Sequence, residues 1–120
     1  MARLTRLEPG VSGIADIDAQ QVAAAAGGDT YPNDDRTVLV VTNGSASSVT
    51  VTPTIQRTST KAPGFGQIST PSRAVAVAAG KTAFIHCPAG SFNNVDGLVA
   101  VAYSAVTSVK VAAVRMPKVD

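Results

Sequence analysis

Tryptophan is absent from this chain of 120 residues, cysteine and histidine occur once each, and the aromatics Tyr31, Phe65, Phe84, Phe92 and Tyr103 make up only 4% of it. A lone cysteine, Cys87, excludes an internal disulfide and leaves no thiolate partner for a metal site. With one histidine, no Ser/His/Asp set and no metal-spaced cluster, there is little from which to assemble an active site, so neither enzyme activity nor a cofactor is expected. The ten Lys and Arg residues are scattered singly from Arg3 to Lys118 and the net charge is +2, so no basic stripe marks a nucleic-acid partner. No apolar run approaches the roughly 18 residues that cross a bilayer, and no membrane partner is expected. Arg3 and Arg6 precede Leu7, but Glu8-Pro9-Gly10 follows in place of the apolar run of a secretory signal, so the chain reads as made inside the cell.

What the chain does have is alanine (20) and valine (17), against four leucines. A single domain of this length with a core of small and β-branched side chains gains less transfer free energy per residue than one built on Leu and Phe, which favours support from neighbouring subunits. Composition divides the chain into an N-terminal arm over 1–35, which holds six of the eight acids, a strand-rich domain over 36–115 and a short tail over 116–120.

The strand-rich zone is punctuated at regular intervals. Arg36–Thr42 is almost continuously apolar, as a strand covered on both faces should be, and it stops at Asn43-Gly44, a turn dipeptide tolerant of positive φ. Ser48–Thr52 alternates, with Val49 and Val51 inward and Thr50 and Thr52 outward. Residues 57–72, broken at Pro63, Gly64 and Gly66, are expected to form a long loop. Arg73–Ala78 and Thr82–Cys87 flank the turn Ala79-Gly80-Lys81, a second loop spans Pro88–Gly97, and Leu98–Ser104 and Ser108–Arg115 close the domain. Six strands joined by hairpin-length connections, with no helical period, indicate an all-β fold: one antiparallel β-sandwich, immunoglobulin-like or jelly-roll-like, with an extended N-terminal arm. Within the arm, Asp16 or Asp18 caps a short helix over Ala19–Ala26 that ends at Gly27, or the same residues pair as an edge strand. Deletion of residues 1–27 is expected to leave the sandwich folded.

Several motifs reduce to structure. Ala79-Gly80-Lys81-Thr82 resembles the end of a phosphate-binding loop, but position 75 is Val and a strand follows. His86 and Cys87 are adjacent on a strand and so point to opposite faces. The acids Asp16, Asp18, Asp34 and Asp35 fit no calcium-loop spacing. Gly64-Phe65-Gly66 is different, because a Phe between two unhindered residues is either an anchor presented to a partner or a plug at the end of the sandwich. The candidate partner-binding residues are Arg3, Leu4, Arg6 and Leu7 in the arm, and Pro63, Gly64, Phe65 and Gly66 in the loop.

Gly28-Asp-Thr-Tyr-Pro-Asn-Asp-Asp-Arg-Thr-Val-Leu-Val-Val-Thr-Asn-Gly44 followed by Ser47-Ser-Val-Thr-Val-Thr52, the Val77-Ala-Ala-Gly-Lys-Thr82 turn and the stretch from Asp96-Gly97 to Arg115 together resemble small structural proteins of tailed-bacteriophage heads. This sequence has Asp35 where those chains often have Gly. The resemblance implies a capsid decoration or cement protein, with the major capsid protein as partner, self-association as a dimer or trimer, and a place on the capsid exterior of the virion after synthesis in the host cytoplasm. The alternatives are a head-to-tail connector or tail component, and an immunoglobulin-like adhesion or carbohydrate-binding module, for which five aromatics are few.

Overall fold

The computed structural model describes residues 2–10, 13–14, 16–56, 59–62, 64, 66–69 and 74–116. In chain order these form β1 (Ala2–Arg3), β2 (Arg6–Leu7), α1 (Ile17–Gln20), β3 (Val22–Ala23), β4 (Asp29–Pro32), β5 (Thr37–Asn43), β6 (Val49–Pro53), β7 (Ser59–Ala62), β8 (Gly66–Ser69), β9 (Val75–Val77), β10 (Thr82–His86), α2 (Ala89–Phe92), β11 (Leu98–Tyr103) and β12 (Val109–Arg115). One sheet runs β1-β4-β11-β6-β9, and the other runs β10-β5-β12-β2 with β3 also on β12. The alternating Val49, Val51, Val99, Val101, Val109 and Val111 meet Leu39, Val41 and Tyr31 between the sheets, each at most 1% exposed. This is the β-sandwich expected from the strand pattern, with its core made of valine.

The six central strands fall within about two residues of their expected bounds, but the links between them behave differently. β5, β10 and β12 lie in one sheet while β4, β6, β9 and β11 lie in the other, so the turns after Asn43, at Gly80 and before Val109 carry the chain across the sandwich instead of closing hairpins. At the first of these corners neither Asn43 nor Gly44 has positive φ. Asn43 is fully buried and its side chain builds the corner, donating to Ser47 O (2.8 Å) and Val77 O (2.9 Å) while its Oδ1 accepts from Ser45 N (3.0 Å). An Asn that satisfies three groups in this way fixes a wide corner as firmly as a two-residue turn would.

The expected free arm is woven into both sheets. β1 pairs in parallel with β4, and β2 pairs in parallel with β12, so the chain steps from one sheet to the other between Arg3 and Arg6. Leu4, in that step, is 5% exposed and sits in the core cluster, with its N–H donating to Thr30 O (2.7 Å). The helix and strand readings of the arm each hold in part. Asp16 caps a single turn, accepting from Ala19 N (3.4 Å), the helix ends at Gln20, and Val22–Ala23 pair with β12. Gln21 reaches Thr42 Oγ1 (3.0 Å), while Val40 and Ala112 on the outer side of their sheet are buried. An outer face bearing Val and Ala needs such cover, which accounts for the continuously apolar β5. Gly28, at φ +92°, closes the segment where an added Cβ would stand 2.5 Å from Val101 O, a site open only to glycine.

The expected long loop is a two-stranded ribbon. β7 and β8 pair antiparallel from Ser59↔Ser69 to Ala62↔Gly66, and they form a sheet of their own. Gly64 and Gly66 take φ of +80° and +75° at its tip, so breakers that signalled irregularity mark a tight reversal between two strands. Arg57, Pro63, Phe65 and the stretch 70–73 lie outside the described residues.

Candidate functional site

At one end of the sandwich the turn before β5 is fastened to the loop carrying α2. Asn33 donates to Cys87 O (2.7 Å) and to Asn93 Oδ1 (2.9 Å), and Asn93 returns a bond to Asn33 O (2.7 Å). Asp35 has φ 69°, a conformation more natural to Gly, and its Oδ1 accepts from Ala89 N (2.6 Å). The Asp35 carbonyl can only accept, so His86 Nε2, 2.8 Å away, carries the proton and donates to it. Phe92 is 6% exposed and fills the space beneath.

Beside this end, a cleft of about 460 Å³ opens between the sheets where β9 and β10 form their edges. Pro53, Ile55, Val75, Phe84, Ile85 and Phe92 make it mainly apolar. Ile85 and Cys87 point inward, whereas Thr82, Phe84 and His86 are exposed. Phe84 is 75% exposed in the middle of an edge strand, and it was not among the residues singled out for partner binding. Its signal was legible in the strand's phase: Thr82, Phe84 and His86 share the outward side of the alternation, which places a phenyl ring on the polar face.

The residues that were singled out are scattered. Arg3 is exposed on β1. Leu4 is turned into the core and is not a surface residue. Arg6 is drawn to Asp34 (3.9 Å), which also meets Arg36 (3.5 Å) and Arg115 (2.6 Å), while Arg115 approaches Glu8 (3.7 Å). This network ties β2 and β12 to the turn before β5, so Arg6 and the half-buried Leu7 have work inside the chain. Gly64 and Gly66 are exposed on the ribbon, far from these in sequence, and Pro63 and Phe65 lie outside the described residues.

The adjacent His86 and Cys87 face opposite ways, as the strand period requires. Burial pushes the Cys87 thiol up, partly offset by the neighbouring Tyr31 phenol. Burial likewise raises the Tyr31 phenol, with Cys87 adding to it, and raises Tyr103, whose Oη donates to Asp29 Oδ2 (2.7 Å). A protonated, buried thiol is a core group and not a nucleophile. Among the described residues no three His, Cys, Asp or Glu side chains gather as metal ligands: Asp16 caps α1, Asp34 is held by arginines and Asp35 holds Ala89. Set against known proteins, the chain matches no family model, no curated protein and no solved structure.

Proposed function

We propose that this chain is a structural virion protein that binds the outer surface of a tailed-phage capsid and cements the shell. The phage reading rests on the resemblance of residues 28–44, 47–52, 77–82 and 96–115. The observation that carries the mode of action is the ribbon of β7 and β8, which among the described residues pair as strands with each other and with neither sheet, while the N-terminal segment is consumed in closing the sandwich. A ribbon outside both sheets is a lever for reaching a neighbouring subunit, and many weak contacts of this kind on a lattice add up through avidity. In this reading the ribbon replaces the arm as the element that grips the major capsid protein.

The test is co-sedimentation of the purified protein with expanded capsids that lack it, with capsid heat resistance scored before and after. Saturable binding in fixed proportion to the major capsid protein, with stabilisation, is the expected result. A variant with residues 59–69 replaced by a short Gly-Ser turn should keep its melting temperature to within about 2 °C, because among the described residues the ribbon pairs with neither sheet, and should lose shell binding. No binding by the intact chain, with closed rings in negative-stain images, would replace the cement reading with a connector or tail role.

A further inference from the structure

The sheet orders leave β10 as an unpaired edge of five residues among the described residues, longer than the three-residue edge β9 and the two-residue edge β1. Natural sandwiches guard such an edge with inward charge, proline or short length. β10 has no charged residue or proline between Thr82 and His86, and it carries an exposed Phe84 at its centre.

We infer that β10 pairs antiparallel with β10 of a second copy, about a two-fold axis at Phe84. The Asn43 N–H donates to Lys81 O (2.9 Å), which sets the phase of the β5–β10 ladder. Alternation then directs the backbone groups of Ala83 and Ile85 toward β5, and those of Thr82, Phe84 and His86 toward the free edge. That outward set is symmetric about residue 84. Pairing Thr82 with His86, Phe84 with Phe84 and His86 with Thr82 lets every outward donor meet an acceptor, about six bonds in all. The two exposed Phe84 rings then cover each other across the axis.

Charge selects a second copy over a foreign strand. Lys81 precedes β10, is exposed and makes no ion pair among the described residues. At the other end of the strand stands exposed Asp35, against His86 and Ala89. Antiparallel pairing brings each Lys81 to the Asp35 end of its partner, two complementary contacts generated by the symmetry, whereas parallel pairing would set Lys81 beside Lys81. The contact gives a surface to the self-association that the resemblance behind the cement reading implies, yet it is read without any shell, so its failure and that of the cement reading are separable.

Sedimentation equilibrium of the full chain between about 10 and 500 μM should show a monomer–dimer equilibrium. Over that range, amide exchange should slow at Thr82, Phe84 and His86, while Ala83 and Ile85 are protected throughout. Phe84→Lys should be monomeric with an unchanged melting temperature, since the ring is exposed. Lys81→Glu, which leaves the strand intact should Phe84→Lys not fold, should weaken the dimer about threefold or more by setting like charges against Asp35. A monomer throughout, a trimer, or a dimer indifferent to both substitutions and without the alternating exchange pattern would overturn the pairing.

Discussion

Asp35 and Asn43 are two polar residues whose side chains replace turns that glycine or a tight hairpin would otherwise supply. Asp35 holds φ 69° and bonds Ala89 N at 2.6 Å. Asp35→Ala loses the charge-assisted bond with the strain unchanged, costing about 2 kcal/mol, while Asp35→Gly loses the same bond but relieves about 1 kcal/mol of strain, costing about 1 kcal/mol. Urea unfolding that ranks Ala above Gly in stability would contradict this division. Asn43→Ala strands the buried Val77 carbonyl and empties the corner, and should cost about 3 kcal/mol; Ser45→Ala, at its periphery, should cost under about 1 kcal/mol by the same measurement. Neither role was legible beforehand. Asn-Gly signals a turn equally well whether the next strand joins the same sheet or the opposite one, and only the buried acceptors of a finished fold tell the two apart. Phe84, by contrast, announced itself through its phase in Thr82–His86.

Among the elements, the strands that the sequence reveals are those long enough to show a period. β5, β6, β10, β11 and β12 run five to seven residues and carry the Val-rich alternation or continuous apolarity of sandwich strands. β1, β2 and β3, at two residues each, hold no pattern at all and exist because β4 and β12 present edges to them. Their apparent detachment in the sequence is therefore misleading, and their pairing argues against the expectation that residues 1–27 are dispensable for folding. Removal of residues 1–7 should expose the core beside Leu4 and the edges of β4 and β12, lowering the unfolding midpoint sharply. Leu4→Ala alone should cost about 2–4 kcal/mol, as for other buried leucines. A truncate with wild-type stability in urea would return the segment to the status of an arm.

For the whole molecule, the scarcity of aromatics becomes a probe. The chain has two tyrosines, Tyr31 and Tyr103, and burial raises both phenols, with Asp29 adding to the shift at Tyr103. Cys87 is raised in the same direction, chiefly by burial. In each case the folded state holds its proton after the unfolded chain would have released it, so these groups contribute fully below about pH 9 and their contribution is lost as pH climbs. Stability should fall by about 1.4 kcal/mol per pH unit for each group ionised only in the unfolded chain, first for the thiol and then, above about pH 10, for both phenols. Phenolate absorbance should consequently stay near zero in the native protein past the pH at which free tyrosine ionises, and appear in one step that coincides with loss of the far-ultraviolet circular dichroism. A gradual phenolate titration centred near pH 10 with the sheet signal intact would mean that one ring reaches solvent in the folded state. The coincident step would show instead that the two tyrosines are sealed by the same packing of valine strands, crossing corners and N-terminal stitches that holds the sandwich closed.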